Sequence, residues 1–171
     1  MIERSKRRFG APRLSDAARR LLDASTLCAI STVAEDGRAH VNTAYFAWSP
    51  ELNVVWLSEP RAKHSQNIRR NGSAAVAVFD STQTWGKPDR GIQLFGVAEE
   101  TDDEDAEAVY AARFPAYRPR SFRAYQLYVL RPRRVKLFDE RELGAATFVT
   151  ARVARHGTLT WERTERYRSE R

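Results

Sequence analysis

The sequence is poor in sulfur: 171 residues hold one Cys and one Met. A single thiol excludes an internal disulfide and any zinc site built on paired cysteines. Cys28 lies in an apolar run, where a lone Cys serves as a small core residue. Histidine is scarce too. The three present (His40, His64 and His156) show no HExxH-like spacing, so no metal site is expected. Nothing approaches the roughly 18 consecutive apolar residues of a membrane span. The N-terminal MIERSKRRFGAPRL is basic with no apolar stretch behind it, unlike a secretory signal. A soluble, cytoplasmic protein with no membrane partner is expected. Glycine-rich nucleotide loops and the GxSxG elbow of serine hydrolases are absent, and no carboxylate pair or other acid–base constellation stands out.

What is present describes an ordinary domain: 42% hydrophobic and 30% charged residues, enough apolar material for a core. The net charge of +7 is carried by the ends. Residues 1–20 and 131–171 each hold a surplus of five positive charges, and the middle is mildly acidic. A basic balance raises nucleic acid as a partner. The acidic middle and the lack of stacking aromatics in the N-terminal tail argue instead for a solvated tail, and no nucleic acid is expected.

The pattern along the chain is mostly β. Ser15 caps a predicted helix over 15–24. Two β-rich runs, 27–34 and 39–48, flank Asp36-Gly37, a strong hairpin signal. Residues 53–58 (NVVWLS), 73–80 and 91–99 read as further strands. The polar stretch 61–70 (RAKHSQNIRR) reads as a short helix stopped by Asn71-Gly72. Thr101 to Glu104 forms a capping box opening a helix that Pro115 ends. Residues 124–138 form a long strand, placed at an edge or bulged because Pro132 interrupts it. Short strands over 145–154 and 158–161 complete the reading.

The chemistry concentrates where strand 53–58 runs into helix 61–70. Ser58, Arg61, Lys63, His64 and Asn67 surround a helix N-terminus, whose unpaired N–H groups and positive potential suit a phosphate. A solvated basic helix would carry the same residues. Gln93 is a polar residue inside an apolar strand, able to meet a ligand or to pair with backbone. Trp85, in the 81–90 loop, is a candidate to line a substrate.

In this order, LCAISTVAEDGRAHVNTAYFAW, NVVWLSEPRAKHSQNIRRNGSAAVAVFD, GIQLFGVAEE and YQLYVLRPRRVKLFD resemble the pyridoxamine 5′-phosphate oxidase-like family of flavin-binding split β-barrels. The resemblance covers about residues 15–140. It implies a mainly β (α+β) fold, a six-stranded antiparallel split β-barrel with short flanking helices. It divides the chain into a basic tail (1–14), an FMN-binding barrel (15–140) and an extension (141–171) packing on the barrel or a dimer partner. It further implies a homodimer with FMN at the interface, acting as an FMN-dependent oxidoreductase on a small-molecule substrate. Relatives that bind deazaflavin or haem supply alternative cofactors, with His64 or His40 as a possible iron ligand.

Carried onto this chain, the resemblance places the flavin phosphate at Ala62, Lys63 and His64, with Asn67 in the same helix. Ala62 lacks the hydroxyl often found at its position. The ring and ribityl chain would lie along Asn42, Thr43, Ala44 and Tyr45, with Leu57 and Ser58 beside them and Gln93 on the fifth strand. Asn42 stands where the family often has a phosphate-directed Arg. The tail WERTERYRSER lacks the Arg-Leu-Ala-Pro substrate motif of the vitamin-processing oxidases, so pyridoxamine phosphate is not implied as substrate.

Overall fold

The protein is described by a computed structural model covering residues 1–118 and 124–168. In chain order the elements are β1 (Ile2–Ser5), α1 (Ala11–Asp23), β2 (Leu27–Val33), β3 (Ala39–Trp48), β4 (Val54–Ser58), α2 (Lys63–Arg70), β5 (Ser73–Phe79), β6 (Arg90–Thr101), α3 (Glu104–Arg113), β7 (Gln126–Asp139), β8 (Thr147–Val153) and β9 (Leu159–Tyr167). The strand order is β1-β9-β8-β7-β4-β3-β2-β5-β6, and β6 also pairs with β7. That extra pairing closes six strands, β2 to β7, into an antiparallel barrel, the fold class the sequence implies. The chain forms two compact units, one of Thr26–Val76 with Phe95–Pro132, the other of Met1–Ser25, Ala77–Leu94 and Arg133–Arg171.

In the first of these units the hairpin forms where expected. Val33 pairs with Ala39, and Gly37 takes φ 81°, a conformation glycine adopts without strain. The register then lines up three aromatic rings. Phe46 faces Trp56, and Trp56 faces Tyr128, with the Trp56 and Tyr128 rings stacked at 5.9 Å. All three are fully buried. Successive strand residues point to opposite faces, so Ala47, Val55, Leu127 and Val129 face the other way, where Ala106 and Tyr110 of α3 cover them. Burial on both faces explains why 53–58 is almost wholly apolar.

Two expectations about this unit change. The N-cap of α3 is Asp103, which accepts from Asp105 N at 3.0 Å, while Thr101 Oγ1 accepts from Asp103 N. The Thr101 box is displaced because β6 runs on to Thr101 and holds that residue extended. The strand containing Pro132 is an interior strand, not an edge. β7 pairs with β4 through Gln126 to Leu130 and with β8 through Arg134 to Phe138, so Pro132 sits in the gap between partners, where its missing N–H costs no bond on that side. Close approach occurs at Gly96: a Cβ there would stand 2.1 Å from Arg131 O and 2.7 Å from Pro132 Cα.

In the other unit, α1 begins at Ala11 rather than 15. Pro12 at the first turn already has the helical φ, and Gly10 serves as N-cap, so Ser15 is interior. Leu14, Ala17, Ala18, Leu21 and Leu22 form its buried stripe. The basic N-terminus is not all tail: Ile2 to Ser5 pair with Thr164 to Tyr167 of β9. The extension supplies β8 and β9, paired with each other and, through β8, with the second half of β7. Arg134 and Arg152 share the carboxylate of Glu162 across this sheet.

Replacing Gly96 by Ala drives a methyl into backbone that cannot yield. We expect Gly96→Ala to destabilise the fold by about 1–3 kcal/mol or more. Urea denaturation measures this, and Gly37→Asn, at a turn with open space around it, should cost far less.

Candidate functional site

Three elements of one unit converge on a cavity of about 340 Å³. β3 contributes Asn42, Thr43, Ala44 and Tyr45, β4 contributes Leu57 and Ser58, and α2 contributes His64. Seven of the residues singled out in the sequence therefore border one space. The aromatic register brings this about. It fixes β3 against β4, and β4 runs directly into the turn that starts α2.

Tyr110 of α3 and Tyr125 complete the wall. The sequence gives neither residue a place in the site. The signal was the folding-back of α3 onto β3 and β4, which no local pattern contains. Tyr45 packs edge-on to Phe114, and Phe114 and Tyr117 both contact the Tyr110 ring. Burial, and then the neighbouring Tyr117 and Cys28, push the Tyr110 hydroxyl above its ordinary value, so it stays protonated at neutral pH and can donate. Cys28 itself is buried, its thiol pushed up to about 12 chiefly by burial, as befits an inert core residue.

The polar floor is tightly organised. His64 Nε2 lies 2.6 Å from Ser58 Oγ, and Ser65 Oγ donates to the same hydroxyl at 3.3 Å. The His40 ring lies parallel to that of His64, centroids 6.5 Å apart. Burial first, and the nearby His40 second, hold the His64 imidazole below its ordinary value, so it is neutral at physiological pH. The Asn42 Oδ1 atom is enclosed and has no hydrogen-bond partner. A buried acceptor left unpaired is costly unless a ligand supplies the donor.

At the start of α2 the N-cap Ala62 offers no side-chain hydrogen bond, leaving the first-turn N–H groups without a side-chain cap. Lys63, the first helical residue, is exposed and does not line the cavity. Asn67 also stays outside it. It is fully buried and donates to Thr32 Oγ1 at 3.0 Å, tying α2 to β2. Arg69 holds the other end of the turn, donating to Pro60 O and to Glu100 Oε2. Gln93 and Trp85 belong to the other unit, Gln93 half-buried in β6 and Trp85 97% exposed in its loop. No group of three or more potential metal ligands occurs among the described residues. No helix there is long and apolar enough to cross a membrane.

Comparison with known proteins follows this geometry. No curated protein matches the sequence. Among solved structures, a heme-binding protein from Mycobacterium smegmatis is similar at 17% identity and TM-score 0.63, over 85% of this chain and 59% of its own. A heme storage protein from Vibrio cholerae is similar at 18% identity and TM-score 0.55, over 71% and 88%. A Clostridium acetobutylicum protein of the pyridoxinephosphate oxidase family, related to general stress protein 26 of B. subtilis, is similar at 12% identity and TM-score 0.63, over 82% and 95%. At such identities these likenesses speak for the fold. The family model described as pyridoxamine 5′-phosphate oxidase matches residues 14–139, a span that takes in α1 from Leu14 onward, the closed barrel and every residue of the cavity. The chain belongs to the pyridoxamine 5′-phosphate oxidase family.

Proposed function

We propose that the chain is an FMN-dependent oxidoreductase acting on a small molecule, with the cofactor in the cavity formed by β3, β4 and α2. The observation that carries this is the pairing of that cavity with an uncapped helix N-terminus beside it. The residues fit the group. Leu57, Tyr45, Tyr110 and Tyr125 offer flat and apolar surface to a ring. Asn42, Thr43 and Ser58 offer polar atoms to its edge and to a polyol chain, and the unpaired Asn42 Oδ1 accepts from a donor there. The first-turn N–H groups of α2 and the Lys63 ammonium would hold the phosphate. Bound FMN supplies the electron transfer itself. The chain's own part is to orient the ring, keep water from its buried face and hold neutral donors such as the Tyr110 hydroxyl against it.

The homodimer belongs to the same reading. Leu27, Val41, Tyr45 and Tyr125 leave 46–63% of their surface exposed, and Leu27 and Tyr45 are cross-strand partners. Apolar side chains this exposed, three of them on the β2–β3 pair, suit a subunit interface. We expect light scattering at micromolar concentration to give twice the chain mass. A monomer would count against the reading.

A haem reading draws on the parallel His40 and His64 rings. Ser58 already holds His64 Nε2, so ligation through that nitrogen would cost this bond. The absorption spectrum of the purified protein separates the cofactors: flavin bands support the proposal and a Soret band replaces it. Mass spectrometry of released cofactor distinguishes FMN from a deazaflavin.

Lys63→Ala removes a charge-assisted contact to phosphate, which costs about 1.5 kcal/mol, or roughly tenfold in affinity. FMN binding should weaken by that factor and riboflavin binding should not change. Equal weakening of both would show that Lys63 does not meet the phosphate.

His64 gives a second test. Its folded-state pKa lies below the unfolded value, so its contribution to stability is present above about pH 6.5 and is lost as pH falls below. A phosphate beside it would raise that pKa, so binding takes up a proton. Affinity for FMN should therefore rise between pH 8 and 6 while that for riboflavin stays level, and His64→Gln should flatten both the stability and the binding profiles. A level FMN profile in the wild type would place the phosphate away from His64.

A further inference from the structure

A second cavity, of about 400 Å³, lies in the same unit at the opposite end of α3. Its floor is apolar, made by Val55 and Val129 of the sheet and by Ala106 and Val109 of α3. Its mouth is acidic, with Glu51 from the turn between β3 and β4 and Asp103 and Asp105 from the start of α3. One cation stands there, Arg131, and it is engaged by the Glu99 carboxylate. The acidic helix start has a structural role, since Asp103 caps α3. A separate feature points to a ligand: Ser49 borders the cavity, is only 9% exposed, and its Oγ has no hydrogen-bond partner. An enclosed hydroxyl with no protein group to bond is destabilising unless something fills the space beside it.

We infer that this cavity binds a small organic ammonium ion with an apolar body. The volume falls in the range of ligand sites, in which an apolar lining supplies affinity and a few polar groups fix orientation. The valine and alanine floor takes the body. The three carboxylates face the ammonium group, and the Ser49 hydroxyl accepts from it or from another polar atom of the ligand. An anionic ligand meets like charge at the mouth. A small hydrophilic cation leaves the floor uncovered.

The test uses the full-length protein and 2-phenylethylammonium chloride, followed through the methyl NMR signals of Val55, Val109 and Val129. Saturable shifts at millimolar concentration or below are expected. They should be absent with 3-phenylpropionate, and much weaker with 2-phenylethanol, which lacks the charge, and with ethylammonium, which lacks the body. Glu51→Gln and Asp105→Asn each remove one negative charge with little change of side-chain size, and each should weaken binding by up to about fivefold. Ser49→Ala should weaken binding severalfold while leaving the thermal midpoint unchanged or higher, because it removes an unpaired buried hydroxyl. The inference is overturned if 2-phenylethylammonium causes no saturable shift at these methyls. It is equally overturned if the neutral alcohol binds as well, or if neither carboxylate substitution changes affinity.

Discussion

The alignment of Phe46, Trp56 and Tyr128 across three strands is the constraint on which the candidate site rests. Side chains alternate along a strand, so a slip of one residue would exchange the three rings with Ala47, Val55 and Val129, which pack under α3 on the other buried face. Large rings would then overpack one face and leave voids in the other, at about 1–3 kcal/mol or more for each. The register of β3, β4 and β7 is thereby fixed by packing, and the Tyr128 hydroxyl, accepting from Arg69 Nη1 and donating to Glu100 Oε2, adds a polar tie. Once it is fixed, Asn42 to Tyr45 and Leu57–Ser58 have no choice of neighbours, and the end of β4 delivers α2 to the rim.

Within that frame the site is built from neutral polar groups rather than charges. The Ser58 hydroxyl sits between His64 and Ser65, and Asn67 ties α2 to β2 through Thr32. Buried networks of this kind hold a site rigid when their members are satisfied. The Oδ1 atoms of Asn42 and Asn67 are the exceptions, and Asn42 borders the cavity. Positive charge is kept at the surface, on Lys63, where a phosphate can meet it without a buried cation having been paid for.

How much of this was legible depends on the range of the forces involved. The Asp36-Gly37 hairpin, the short helix before Asn71-Gly72 and the core position of Cys28 follow from local chemistry, and the chain shows them plainly. The bordering of one cavity by Asn42 to Tyr45, Leu57, Ser58 and His64 came through resemblance, which carries long-range information that local rules lack. Other features were out of reach for physical reasons. Pro132 looks like an edge residue until β7 is seen to change partners there. Thr101 looks like a cap until β6 claims it. Ile2 to Ser5 has no strand pattern of its own and is extended because β9 offers it hydrogen-bond partners. Tyr110 and Tyr125 enter the wall only through tertiary packing.

The pairing of β1 with β9 bears on how the chain is made. Ile2 finds its partner in Tyr167. At about 5–20 residues per second, the first strand leaves the ribosome on the order of ten seconds or more before its partner exists. During that wait its backbone groups lack the partner that makes it a strand, and such a segment is open to pairing with other nascent chains. Arg4, Lys6, Arg7 and Arg8 lie in and directly behind it. Clustered charge of one sign beside a waiting strand opposes such pairing, as gatekeeper residues do. Once β9 is made, its pairing with Ile2 to Ser5 closes that edge.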